Sequence, residues 1–374
     1  LPPERLRRIR GSMEKIIKAA VKRGASDLHI KAGDVFRARV NGELVPLTKE
    51  RLTPAQTRAI ALKLIASEDV RRRIDQLQDY DCSWGMPGVG RFRVNILRQR
   101  SSFMVVMRVI PFAIPSLESL GAPDAILPLA NTDQGLVLIA GAGGSGKSST
   151  IAGLIDQINR NHHRHIVTIE SPIEFLHRDL KSSVTQREVG IDTGSVVKGL
   201  QAALRQDPDV IVISDLPDPE TLDTAITAAE TGLLVISSVP TPDVVTTMER
   251  IIAMIPADER DIGRVRLAEV LRGVVAQQLL PRDGGEGRAP AFELLVGTDA
   301  VRDIIKTGAL EELLAVMEAD KDSQGMQSFE QEITGLLSEG VIDAKTAEAA
   351  GVTAAPKRRN RRRKPRTQTK RSSS

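Results

Sequence analysis

Scarcities narrow the possibilities first. The 374 residues include a single cysteine, Cys82, which excludes an internal disulfide and a multi-thiolate zinc site and makes a reducing cytoplasm the expected compartment. One Trp, one Tyr and seven Phe are too few for the base-stacking platforms of single-strand nucleic-acid binders. The longest apolar runs, such as Leu136 to Ala140 and Val210 to Ile213, fall far short of the ~18 residues of a membrane helix. No signal-like apolar segment follows the charged start, so neither a secreted nor a membrane-spanning chain is expected. Excess positive charge is confined to one place. Lys357 to Arg371 carries ten Lys or Arg and no acid, and removing those ten from the formal +4 leaves the rest of the chain at −6. The pI of 9.2 therefore describes a tail, and the body is read as mildly acidic rather than as a basic nucleic-acid surface. His162, His163 and His165 form a cluster, but no acidic or Cys partner keeps ligand spacing with it, and a polar loop accounts for it.

What is present is enough apolar material, 41% of the chain, for two or three cored domains. The chain opens on Leu1 rather than Met, and residues 1 to 10 carry no argument. Met13 to Arg23 reads as a helix with Ile16, Ile17, Ala20 and Val21 on its apolar face, closed by Gly24. Leu28, Ile30, Phe36, Ala38 and Val40 then alternate with polar partners before Asn41-Gly42, a hairpin turn signal. Two helices are expected between Pro54 and Leu77. Alternation returns at Arg91 to Ile96, with Phe92, Val94 and Ile96 on one face, and Phe103 to Ile110 completes the set. From Gly135 onward, short apolar strands (136–140, 166–169, 210–213, 234–237) are separated by helix-length segments, the pattern of an α/β unit with a mostly parallel sheet. A helical region is expected from Asp261 through Ala350, interrupted by a strand at Phe292 to Val296. The expected division is an α+β domain over 1–112, a proline-bearing linker over 113–123, an α/β domain over 124–350 and a disordered basic tail over 351–374.

The chemistry concentrates in that α/β domain. Gly141-Ala142-Gly143-Gly144-Ser145-Gly146-Lys147-Ser148 fits G-x-x-x-x-G-K-[ST], placed after an apolar strand and before a helix-like segment. Glycines let successive backbone N–H groups turn inward around phosphate oxygens, and the helix N-terminus adds positive potential. Gly141, Gly143, Gly144, Ser145, Gly146, Lys147, Ser148 and Ser149 are thus the candidate ATP contacts, with Lys147 on the β and γ phosphates and Ser148 on Mg2+. Such a site also needs an acid at the end of a neighbouring buried strand. Asp215, after Val210 to Ile213, is the candidate, shared between metal and water; its alternative reading is a helix N-cap or loop acid. Glu170 follows another strand on the edge where open α/β sheets bind ligands, and Glu174 reads equally as a functional or a salt-bridged acid. Arg91 and Arg93 share one face of an alternating strand, which suits a two-pronged phosphate clamp.

Taken together, these stretches resemble the retraction ATPases of bacterial type IV pili, the PilT-like branch of the secretion-motor ATPase superfamily. The resemblance runs from about Ser26 to Ile342. It rests on Ala25-Ser26-Asp27-Leu28-His29, Gly90-Arg91-Phe92-Arg93-Val94-Asn95, Glu170-Ser171-Pro172-Ile173-Glu174-Phe175, Gln186-Arg187-Glu188-Val189-Gly190, Leu204 to Asp209, and Ala228-Ala229-Glu230-Thr231-Gly232, in that order. It implies a PAS-like N-terminal domain and a RecA-like P-loop ATPase domain. It also implies a homo-hexameric ring in which Arg91, Arg93 and Arg108 reach a neighbour's γ-phosphate. Ala300 to Lys306 is similar to a C-terminal helix motif associated with retraction, though Thr307 replaces its final Glu. The extension and secretion branches generally carry a four-cysteine zinc module, which one cysteine cannot build.

The departures from that family lie in the catalytic core. Ser214-Asp215-Leu216-Pro217-Asp218 stands where the family has Gly-Glu-Met-Arg-Asp, and Ser237-Ser238-Val239-Pro240-Thr241 stands at its histidine box. The expected function is an ATP- and Mg2+-dependent motor for pilus retraction and twitching motility, with weakened hydrolysis. It would be cytoplasmic and peripheral at the inner membrane, acting on an inner-membrane platform protein. The alternative is a nucleotide-binding accessory subunit that modulates a second pilus ATPase. For the tail, nucleic acid, anionic lipid and plain solvation all remain open readings.

Overall fold

The computed structural model describes residues 3–40, 42–110, 113–285 and 287–352, and the described strands form one sheet of six and one of seven. Asn41, Pro111 and the basic tail at Lys357 to Arg371 lie outside the described residues.

The first sheet is antiparallel. Helix α1 (Pro3–Lys22) ends at Gly24, whose φ of +75° turns the chain into β1 (Ala25–Lys31). β2 (Arg37–Val40) and β3 (Glu43–Pro46) make the expected hairpin. Helices α2 (Pro54–Leu64) and α3 (Glu68–Arg72) follow. α2 starts on a capping box in which the Thr53 hydroxyl accepts the Gln56 amide and the Gln56 side chain accepts the Thr53 amide. β4 (Asp79–Met86), β5 (Gly90–Gln99) and β6 (Ser102–Ile110) close the sheet in the order β3-β2-β1-β6-β5-β4. The alternation in β5 is realised: Phe92, Val94 and Ile96 are fully buried with Leu28, Ile30, Ile60, Leu64 and Met107, while Arg91, Arg93 and Asn95 occupy the opposite face. Burying a side chain such as Phe92 contributes about 1.5–3 kcal/mol. Helices inserted between the strands of one antiparallel sheet make this a small α+β, PAS-like unit.

The second sheet is built from buried parallel strands. Its elements begin with α4 (Leu127–Asn131), β7 (Gly135–Ala140), α5 (Lys147–Asn161), β8 (His165–Glu170), β9 (Ser183–Glu188) and α6 (Val196–Ala203). They continue with β10 (Val210–Ile213), α7 (Pro219–Glu230), β11 (Leu234–Val239), α8 (Val244–Met254), α9 (Arg260–Val270) and β12 (Leu271–Pro281). Last come β13 (Arg288–Val296), α10 (Asp299–Thr307), α11 (Leu313–Ala319), α12 (Lys321–Gln324), α13 (Phe329–Ser338) and α14 (Ala344–Ala349). The order is β13-β12-β7-β11-β10-β8-β9, with only β13 antiparallel. Every residue of β7, β10 and β11 is buried, because helices cover both faces of the sheet. This is the RecA-like P-loop architecture, with β11 between the strand that feeds the phosphate loop and the strand that feeds Asp215.

The helical expectation for 261–350 is overturned at β12. α9 ends at Val270 and the next residue opens an eleven-residue strand paired with both β7 and β13. Buried on both faces through most of its length, β12 has no two-residue alternation by which sequence could mark it as a strand. β4 and β9, at the edges of their sheets, are two further strands beyond the sequence expectation. Among the described residues no helix is long and apolar enough to cross a membrane.

Candidate active site

The phosphate loop joins the end of β7 to the start of α5. Gly141, Gly144 and Gly146 take φ values of +149°, +79° and +101°, which side chains with a Cβ rarely adopt. At two of them space is also closed. A Cβ on Gly141 would sit 2.3 Å from Ser145 Oγ and 2.6 Å from the Gln277 carbonyl, and one on Gly146 would sit 2.6 Å from Gln277 Nε2. Gly143 has open space around its missing Cβ. The Lys147 ammonium folds onto the loop, donating to the carbonyls of Gly141 (2.6 Å) and Ala142 (3.1 Å). Burial lowers its pKa, opposed by the nearby charges of Asp215 and Glu174. The Ser145 hydroxyl is buried with no hydrogen-bond partner, an orphan that an oxyanion ligand in the loop would satisfy. Gln277, on the strand read as helix, braces the loop from behind: its Oε1 accepts the Thr150 hydroxyl of α5 at 2.6 Å.

The structure brings the sequence-predicted acids to this loop. Lys147, Ser148, Glu170, Glu174 and Asp215 line one cleft of about 260 Å3, together with His177, Ser238 and Pro240. Glu170 closes β8 and accepts hydrogen bonds from Thr168 Oγ1 (2.6 Å), Gln186 Nε2 (2.8 Å) and the Glu174 amide (3.4 Å). Burial nonetheless raises its pKa, because the desolvation cost outweighs those bonds. Asp215 is raised by the same cause, against the Leu216 amide (2.8 Å) and the charges of Arg250 and Lys147. Two desolvated carboxyls lining one cleft with a lysine describe a place prepared for further positive charge.

The N-cap alternative for Asp215 falls away, since α7 is capped by Asp218, whose carboxylate accepts the Thr221 amide at 2.8 Å ahead of Pro219. Glu174 forms no salt bridge among the described residues. The hydroxyls of Ser237 and Ser238 donate to the carbonyls of Ile213 (3.0 Å) and Ser214 (2.7 Å), tying β11 to β10. Ser148, Asp215 and the acids beside them are hard oxygen donors, and they fit Mg2+, which takes one or two carboxylates with waters and phosphate.

The three arginines go elsewhere. Arg91 pairs through Nη2 with Glu188 Oε2 of β9 in the same chain. Arg108 Nε donates to Asp27 Oδ1 at 3.0 Å inside the antiparallel sheet, and the Arg93 side chain forms no hydrogen bond or ion pair among the described residues. None of the three lines the cleft of its own chain. His177 lines the same cleft although no sequence motif marks it. Its ring Nδ1 is buried without a partner, and burial pushes its pKa down to about 4. Its position within the stretch that follows Glu174 was the available signal.

The family model for type II/IV secretion system proteins matches residues 4–286. The chain belongs to that family. Within it the similarity is to the PilT-like ATPases. The chain is 40% identical over 331 residues to the type IV pilus ATPase PilU of Pseudomonas aeruginosa, covering 88% of this chain and 86% of that protein. It is 36% identical over 333 residues to the type IV pilus retraction ATPase PilT of the same organism, covering 89% and 96%. Among solved structures, the pilus retraction motor PilT with bound ADP superposes with a TM-score of 0.83 at 40% identity, over 92% of this chain and 97% of that one. The Legionella pneumophila ATPase DotB superposes at 0.80 with 27% identity, over 91% and 96%. This secretion-family member is therefore a P-loop ATPase of the PilT-like branch, and its candidate nucleotide cleft lies at the carboxyl ends of β7, β8, β10 and β11.

Proposed function

We propose that this secretion-family ATPase is an ATP-driven motor for type IV pilus retraction, working as a homo-hexameric ring on an inner-membrane platform protein, with hydrolysis weakened by its own core substitutions. The observation that carries the reading is the convergence of Lys147, Ser148, Glu170, Glu174 and Asp215 on one cleft behind the phosphate loop. Backbone amides of the loop and the start of α5 would hold the phosphates, and Lys147 would leave its two loop carbonyls to bridge them. Ser148 and Asp215 would hold Mg2+, which when bound neutralises charge on the phosphates. Glu170, buried and fixed by Thr168 and Gln186, would orient water, with Glu174 beside it. Arg91, Arg93 and Arg108 would serve a neighbouring subunit, since none reaches the cleft of its own chain.

ATP binding and steady-state turnover by the purified, size-fractionated oligomer test this, with Lys147→Ala as background. Turnover above that background supports an autonomous motor. Tight ATP binding with turnover equal to the background would replace it with the accessory reading, in which the chain modulates a second pilus ATPase. The shortened acid at 215 is the observation that keeps this second reading in view.

A further inference from the structure

Glu188 occupies an unusual position. It ends β9 directly beside Glu170 in the parallel register, and the next amide, Val189, donates to the Glu170 carbonyl at 2.8 Å. Its side chain is 3% exposed. That carboxylate accepts two donors from different parts of the molecule: Arg91 of β5, in the antiparallel sheet, and at 3.2 Å the amide of Ile173, in the 171–175 loop that carries Glu174 along the cleft. The Arg91 guanidinium is itself largely enclosed, with Nε buried and unpartnered, so Glu188 supplies its neutralising charge. The carboxylate also contributes to raising the pKa of the buried Cys82 thiol on β4, behind burial itself, which places its charge against that sheet.

We propose that Glu188 is a positioning residue that makes the placement of the N-terminal sheet and the placement of the 171–175 cleft loop one coupled state. With Arg91 docked, the carboxylate is neutralised and holds the Ile173 amide, so the loop keeps Glu174 at the cleft. When Arg91 withdraws, as it must if it is to reach a nucleotide elsewhere in a ring, Glu188 is left as a buried, uncompensated anion. Such a group is strongly unfavourable, and moving the loop to admit water relieves it. The sheet's departure thus loosens the cleft of the same chain, through one carboxylate with two ties. This coupling rests on the proposed ATPase cleft for its consequence but not for its existence.

The test uses the full chain in its assembled form. Cys82 is buried, so spin labels attach selectively at Glu43→Cys on β3 and Lys198→Cys on α6, both exposed positions, with labelled chains diluted in unlabelled ones. In the absence of nucleotide, Glu188→Gln and Arg91→Gln should each shift or broaden the intrachain distance, and the double variant should do no more than either. Arg91→Lys, which keeps the charge, should stay near wild type. Hydrogen exchange over 171–175 should rise at least about tenfold in Arg91→Gln, although Arg91 lies in the other sheet. Where turnover is measurable, kcat should fall by about tenfold or more in Glu188→Gln with KM held within about threefold. Unchanged distances in both single variants, or changes that add in the double, would overturn the coupling. Changed distances with unchanged exchange would overturn its reach to the cleft. A wild type without turnover would sink the motor reading alone, because distance and exchange do not depend on it.

Discussion

Asp215→Glu separates a working catalytic acid from a disabled one. Asp215 leaves β10 with its Oδ1 accepting the adjacent Leu216 amide at 2.8 Å, so its short side chain is turned back on its own backbone. Glu adds one methylene, about 1.5 Å of reach, and carries the carboxylate past that contact into the cleft shared with Lys147 and Ser148. A misplacement near 1 Å in a positioning group costs about a hundredfold in rate, or about 2.7 kcal/mol of barrier. If geometry at this position limits hydrolysis, Asp215→Glu should raise kcat by about tenfold to a hundredfold with little change in nucleotide affinity. The assay is steady-state phosphate release by size-fractionated oligomer, with Lys147→Ala as background. A Glu variant at or below the wild-type rate would refute the reasoning, and wild-type turnover far above background would show that Asp215 already reaches its target.

Three further outcomes follow from the same geometry. Gly146→Ala should weaken ATP binding by about tenfold or more, measured with a fluorescent ATP analogue. The residue would carry a φ of +101° and press on Gln277, which cannot swing away without breaking its bond to Thr150. Glu293→Ala on β13 should cost about 2–4 kcal/mol in urea unfolding, because the buried carboxylate accepts the Val244 amide at 2.7 Å and the Phe329 amide at 3.3 Å, the first residues of α8 and α13, and both amides would be orphaned. The pH profile of kcat/KM should lose its acid limb early. In the roles proposed for them Asp215 and Glu170 must be ionised, and burial lifts both above their ordinary values of 3.8 and 4.5, so protons should quench them at higher pH than free carboxylates; a flat rate through pH 4.5 would contradict this. The sign for stability is opposite in use: these raised carboxyls favour the fold below their ordinary values, and that contribution is lost as pH rises through the folded ones.

Much of the chain was legible because its physics is local. A phosphate loop needs glycines and a lysine at fixed spacing, and Gly141 to Ser148 sit between β7 and α5 as expected. A half-buried strand needs alternation, and Phe92, Val94 and Ile96 announced β5 and, with it, the opposite placement of Arg91 and Arg93. By contrast, β12 is buried on both faces and has no period to display, so the sequence does not mark it as a strand or point to Gln277, the brace behind the loop.

Sequence alone determined that the chain carries a nucleotide loop, an alternating arginine strand and an acid after each of two buried strands, because each signal lies within a few residues of its own cause. Tertiary structure alone decided which groups meet: Thr150 with Gln277, Glu293 with the starts of two helices, and Glu188 with Arg91 on one side and Ile173 on the other. Those pairings join residues from 15 to 127 positions apart, and what selects them is the desolvation of a polar group that must find a partner wherever the fold has placed one.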